Sequence, residues 1–272
     1  MCYFANSAGN IPGAQFAEKL IDKMPGMSRV YYSNSGSEAN EKGFKLVRQL
    51  AAMKNDGKKH KIIYRDRDYH GTTITTLSAG GQAQRKDQYG PFTPGFVEIP
   101  HCLAYRDPRG GDPDYGVKAA RDLEKVILAE DPDTIGSVCL EPITAGGGVI
   151  VPPEGYWETV QEICTKYGVL IHIDEVVCGM GRTGKWFGYQ HYGVQPDMVT
   201  MAKGVASAYA AGVPMGGELN APGQSSAAPQ FLVSATQDPH GMPLQQVQVI
   251  KGWVDATGTH QAVYEVAGNG DN

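Results

Sequence analysis

"YWETVQEICTKYGVLIHIDE", residues 156–175, holds the pattern on which the fold turns. Its first twelve residues place apolar side chains at helical spacing, and the rest is a β-branched apolar run with an acidic end. The same alternation recurs along the chain. "RVYYSN" (29–34), "KIIYR" (61–65), "GFVEIP" (95–100), "IGSVCLE" (135–141), "VLIHIDE" (169–175) and "DMVTMAK" (197–203) are predicted strands. Between them, "EANEKGFKLVRQLAAM" (38–53) brings Phe44, Val47, Leu50 and Ala51 to one face, and "VKAARDLEKVILAE" (117–130) is spaced similarly. Ser35 and Glu38 form an S-x-x-E capping box at the first of these helices. Strands alternating with helices predict an α/β fold, a mostly parallel sheet flanked by helices.

Composition bounds the rest. The 272 residues are 41% hydrophobic and 19% charged, the balance of a globular chain with a substantial core. A net charge of −5 with no basic stripe argues against nucleic acid as a partner. No apolar run suits a membrane span, and "MCYFANSAGN" lacks the layout of a signal peptide, so a cytoplasmic protein is expected. Cys2, Cys102, Cys139, Cys164 and Cys178 are odd in number and never form CxxC, the usage of free thiols in a reducing compartment. The seven histidines show no metal-binding spacing.

After Gly212 the chain changes character, since Lys251 is its only basic residue from there to Asn272. Residues 212–230 are rich in Gly, Pro, Ser and Ala, a linker-like composition. "FLVSA" (231–235), "LQQVQVIKGWV" (244–254) and "QAVYEV" (261–266) are predicted strands of a short β-rich tail, with "DATG" (255–258) as the turn between the last two. The expected division is therefore 1–211, a linker at 212–230, and a tail at 231–272.

Polar residues collect where the predicted strands end. Ser35, Gly36 and Ser37 follow the first strand, and Tyr69, His70 and Gly71 follow the second. Glu141, Asp174 and Lys203 close three more. In an open α/β sheet the ligand crevice lies at the carboxyl ends of the strands. A lysine there can form a Schiff base, and a buried carboxylate can keep a pyridine nitrogen protonated. "SGS" at a helix start offers N–H groups to a phosphate, and Tyr69 can stack on a flat ring. Together these residues describe a pyridoxal phosphate site. Each has a plainer reading as a cap, a packed aromatic or a solvated charge, and the shared placement is what favours the site. "GMGRTG" (179–184) fits the dinucleotide fingerprint, but no long helix follows it, so nicotinamide binding is not expected.

The stretches "YYSNSGSEANEKGFKLVRQ" (31–49), "RDYHGTTITTLSAGG" (67–81) and "CLEPITAGGGVIVPPEGYWETVQEICTKYGVLIHIDEVVCGMGRTGKWFGYQHYGVQPDMVTMAKG" (139–204) resemble the class III aminotransferases, pyridoxal-phosphate enzymes of fold type I. The likeness covers about residues 10–210. It is strongest to the branch that includes taurine–pyruvate and related ω-amino acid:pyruvate aminotransferases. It implies that Lys203 carries the internal aldimine and that Asp174 pairs with the pyridinium nitrogen. Val176 or Val177 would support the ring opposite Tyr69, Gly36 and Ser37 would bind the phosphate, and Glu141 would lie on the substrate side. It also implies an amine donor, a keto acid acceptor such as pyruvate, and a homodimer. Family members are longer, so a truncated large domain is expected. The tail is similar to the end of an uncharacterised bacterial family, with a join near 208–213. The alternative is a fused, inactive chain that serves at most as a binding module.

Overall fold

The computed structural model describes residues 11–105, 107–202, 246–255 and 257–268. The chain divides into two units, Met1–Asn220 and Ala221–Asn272.

In the first unit, α1 (Ile11–Asp22) precedes α2 (Gly36–Lys54), β1 (Lys61–Arg65), the short helices α3 (Ile74–Ser78) and α4 (Ala83–Lys86), and β2 (Phe96–Ile99). Then come α5 (Tyr115–Ala129), β3 (Ile135–Leu140), α6 (Tyr156–Tyr167), β4 (Leu170–Asp174) and β5 (Met198–Thr200). The five strands pair in parallel in the order β2-β1-β3-β4-β5. The chain runs outward from β1 to β2 and then back across to β3, so the order reverses between β1 and β3. That reversal opens a crevice at the strands' carboxyl ends.

Burial on both sheet faces explains why the central strands read as apolar runs. All six residues of β3 are buried. Ile63, Val138, Leu140, Ile171 and Ile173 pack against α5 and α6 through Leu123, Ile127, Trp157, Val160 and Ile163. The alternate residues Ile62, Tyr64 and Cys139 face Phe44 and Val47 of α2. α2 begins where the sequence places it. The Ser35 hydroxyl accepts from the Glu38 N–H at 3.2 Å, but the Glu38 carboxylate reaches back to the Asn34 N–H at 2.8 Å, one residue beyond the expected box.

One predicted strand is absent. Residues 29–34 form no strand and pair with none of the described strands. Side chains take up part of their backbone instead: the Tyr32 carbonyl accepts from Lys42 Nζ, and Asn34 N–H goes to Glu38. α1, α3 and α4, which the periodicity did not single out, are additional. "GMGRTG" is a turn with Gly181 and Gly184 at φ +88°, and no long helix follows it. No described helix is long and apolar enough to cross a membrane. Cys102, Cys139, Cys164 and Cys178 are free and buried.

In the second unit, β6 (Gln246–Asp255) and β7 (Gly258–Gly268) form an antiparallel hairpin. Asp255 pairs with Gly258, so the chain reverses within the predicted "DATG" turn. The predicted strand at 231–235 lies outside the described residues.

At Gly43, α2 lies close against the sheet. A Cβ there would stand 2.6 Å from Cε1 of His172, a fully buried ring tied to Thr200. Alanine's helix propensity favours the substitution by about 1 kcal/mol. The clash outweighs it, so Gly43→Ala is expected to lose about 1–3 kcal/mol in urea denaturation. Unchanged or raised stability would show that the ring has room.

Candidate active site

Three loops converge at the carboxyl ends of β1, β3 and β4, and a buried ion pair fixes two of them. Arg65 and Asp68 are both fully buried, with Nη2 and Oδ1 3.1 Å apart. Arg65 Nη2 also donates to the Glu141 carbonyl at 2.7 Å and to the Thr144 hydroxyl at 3.0 Å. Asp68 answers by accepting from the Glu141 N–H at 3.0 Å and from the Thr144 hydroxyl. The segment after β1 is thereby locked to the segment after β3. A buried pair is secure only when its remaining donors and acceptors are used, and here they are.

This lock sets Tyr69, His70 and Gly71 against Glu141 and Asp174. Glu141 accepts from the Tyr69 N–H at 2.9 Å and the Ala145 N–H at 3.0 Å. Burial, with Asp68 and Asp174 near, pushes its carboxyl well above the usual range. Asp174 has the opposite fate. Its Oδ2 accepts from His70 Nδ1 and from Asn40 Nδ2, each at 2.8 Å, and its Oδ1 accepts from the Val176 N–H at 2.9 Å. Burial favours the neutral acid, but the His70, Val176 and Asn40 donors outweigh it and hold the carboxyl below its ordinary value. Asp174 is therefore an anion at the floor of the crevice.

The start of α2 forms the adjoining wall. A Cβ on Gly36 would stand 2.9 Å from both methyls of Val176, so only glycine lets the helix start lie on that residue. Gly71, at φ +139°, lies so close to Ser37 that a Cβ would collide with its hydroxyl. Ser37 Oγ accepts from the Thr72 N–H at 3.2 Å. The half-buried Tyr69 ring carries the Arg85 guanidinium 4.7 Å above its centroid. Ser35, Gly36, Ser37, Tyr69, His70, Gly71, Glu141, Asp174 and Val176 thus come from separate stretches to one rim, with Val177 following Val176. Lys203 lies outside the described residues.

Sequence reasoning passed over the supporting shell. Asn40, Arg65, Asp68, Thr144, His172 and Thr200 are buried polar residues that make the rim rigid. Their signal was a polar residue at a position whose periodicity calls for an apolar one, such as Asn40 four residues before Phe44. Glu175 is another. It is fully buried and accepts from the Gly188 and Tyr189 N–H groups at 3.0 and 2.8 Å. Burial pushes its carboxyl up to about 7 from the ordinary 4.5. Between those values the folded chain keeps a proton that the unfolded chain has released, so stability falls as pH rises through the window. The expected loss from pH 5 to 8 is on the order of 1–3 kcal/mol. Chemical denaturation at several pH values checks it: Glu175→Gln should flatten the slope, and an unchanged slope would remove Glu175 as its source.

Comparisons with known proteins agree with this fold. The family described as aminotransferase class III matches residues 1–220, and a family of proteins of unknown function (DUF3604) matches residues 184–272. The hypotaurine/taurine–pyruvate aminotransferase of Paracoccus denitrificans (strain Pd 1222) is 68% identical over 209 residues, 77% of this chain and 45% of that protein. The taurine–pyruvate aminotransferase of Bilophila wadsworthia is 68% identical over 210 residues, 77% of this chain and 46% of that protein. Among solved structures, a Bacillus anthracis aminotransferase superposes with a TM-score of 0.72 at 43% identity, covering 78% of this chain and 47% of that one. The ω-transaminase of Pseudomonas jessenii in complex with PMP gives 0.72 at 39% identity, covering 76% and 46%. The chain spans about 45% of the length of the curated relatives it matches. With a five-stranded parallel sheet, a carboxylate rim at its switch point and a family match over residues 1–220, the chain belongs to the class III aminotransferases.

Proposed function

We propose that this chain takes part in pyridoxal-phosphate-dependent transamination, moving an amino group from an ω-amine or amino acid to a keto acid such as pyruvate. The observation that carries this reading is Asp174, a buried anion at the end of β4 with three donors fixing its two oxygens. A carboxylate accepts at about four lone-pair positions, so one remains for a protonated ring nitrogen. The walls fit a flat phosphorylated ring as well. The first turn of α2 presents N–H groups beside Ser37, and Gly36 and Gly71 keep side chains out of the approach. Tyr69 borders the crevice on one side and Val176 on the other.

When bound, pyridoxal phosphate supplies an aldehyde for covalent attachment of amines and an electron-withdrawing ring. The protein's residues do the rest. Lys203 follows β5 by three residues and supplies the attaching amine and the mobile proton. Asp174 holds the ring nitrogen protonated, Ser35–Ser37 and Gly71 receive the phosphate, and His70 orients Asp174. Glu141, kept neutral by burial, offers a proton donor on the substrate side. A homodimer in the cytoplasm and a division of the chain at residues 211 and 230 are parts of the same proposal. The DUF3604 match over residues 184–272 favours a second reading, a fused, catalytically inactive chain that serves at most as a binding or interaction module.

Borohydride reduction of the full chain with pyridoxal phosphate, followed by peptide mapping, separates these outcomes. A stoichiometric mark on Lys203 that vanishes in Lys203→Ala, with taurine-dependent conversion of pyruvate to alanine, supports transamination. No conversion supports the second reading, with or without the mark, and a missing mark overturns transamination. Asp174→Ala should weaken cofactor binding about 10- to 100-fold, the loss of one hydrogen bond to a charged group.

A further inference from the structure

Arg85 is an exposed cation that the fold holds in place and leaves without a counter-charge. It lies on α4, and its guanidinium rests 4.7 Å from the centroid of the Tyr69 ring. Its Nε donates to Gln82 Oε1 at 2.6 Å. Gln82 is only 5% exposed, and its Nε2 donates in turn to the Arg67 carbonyl at 3.0 Å. Ring and amide together take away the rotamer freedom that a surface arginine ordinarily keeps.

Those supports tie Arg85 to the loop that holds Glu141. A Cβ at Gly146 would stand 3.2 Å from Gln82 Nε2, and one at Gly147 would collide with the Arg67 carbonyl. The loop after β3 thus packs on the contact between Gln82 and Arg67. In the same loop the Ala145 N–H donates to Glu141 at 3.0 Å, and Glu141 also accepts from the Tyr69 N–H at 2.9 Å. One set of contacts therefore brings Arg85, Tyr69 and Glu141 to the same stretch of the rim.

A guanidinium carries five N–H groups in one plane, and Nε uses a single one. The four on Nη1 and Nη2 have no hydrogen-bond partner among the described residues, and no carboxylate there pairs with them. Asp66, Asp87 and Glu98 line a separate hollow with Lys86, to which Arg85 does not contribute. An arginine that is held, exposed and unpaired presents a planar fork matching two oxygens of an oxyanion. We propose that Arg85 binds the acid group, carboxylate or sulfonate, of the amine donor and of the keto acid. Tyr69 is the surface on which the fork lies, and Gln82 sets its direction. The inference rests on the proposed transamination for which molecules arrive, and it deepens that reading by naming the group they share. Amines without an acid group lose this contact and are the poorer donors.

The test is phenylglyoxal modification of the full chain without cofactor, with each arginine mapped by mass spectrometry. Methanesulfonate is the probe, and dimethyl sulfone, with chloride matching the ionic strength, is its uncharged control. Methanesulfonate at about 0.1 M should slow the modification of Arg85 about tenfold, as a dissociation constant on the order of 10 mM requires. Arg182 is also exposed and tied through Nε, to the Val177 carbonyl at 2.6 Å, and serves as the internal standard. No slowing at Arg85, or equal slowing of both arginines, overturns the proposal. In turnover, the ratio of kcat/KM for taurine to that for propylamine should fall about 10- to 100-fold in Arg85→Gln. A residue that only steadies Tyr69 would lower both alike, so an unmoved ratio also overturns the proposal. A missing mark on Lys203 refutes transamination alone, and the protection pattern still decides the anion site.

Discussion

The carboxylate of Asp174 is the constraint around which the first unit is arranged. An anion taken out of water at the end of a central strand is unstable unless donors replace its hydration. Those donors come from three places that the sheet topology brings together: Asn40 on α2, His70 after β1, and Val176 after β4 itself. The same Asn40 amide reaches Thr200 on β5, three residues before Lys203. One side-chain amide thus ties helix, loop and two strands to a single charge. This is why α2 must approach the sheet so closely at Gly43, and why the helix starts where Gly36 meets Val176.

A second lock works on the opposite side of the sheet. Arg65 emerges from β1 on the α5/α6 face, where its neighbours are apolar, and it is tolerated because Asp68, Thr144 and the Glu141 carbonyl take up its N–H groups. The two locks are mechanically in series. Arg65 and Asp68 fix the loop after β1, and that loop presents His70 to Asp174. Rigidity of this kind suits the proposed binding of a flat ring between walls, since the supporting residues are themselves held by hydrogen bonds.

Much of the fold was legible in local periodicity. β1, β3, β4 and β5, together with α2, α5 and α6, lie where apolar runs and helical spacing place them, because burial on both faces of a parallel sheet leaves an uninterrupted apolar run. The segment 29–34 reads the same way and is not a strand. A strand exists only when another edge accepts its hydrogen bonds, and sequence pattern carries no information about the partner. The rim residues Asp174, Glu141 and the Tyr69–Gly71 loop were legible as well, through their shared position at strand ends. Asn40, Arg65, Asp68, His172 and Thr200 were not, because a buried polar residue is recognisable only by the partner that satisfies it.

By itself, then, the sequence determined the α/β class, the positions of the main strands and helices, and the identity of the carboxylates and glycines at the rim. Those follow from periodicity and from residue chemistry, both local properties. The tertiary structure decided strand order, and which of two buried carboxylates is pushed up and which is held down. Glu141 and Asp174 are both acidic residues at strand ends, yet one is pushed up and the other held down. The difference lies in the donors and charges that folding delivers to each. Asp174 gains His70 and Asn40 from far along the chain, whereas Glu141 is buried beside the carboxylates of Asp68 and Asp174.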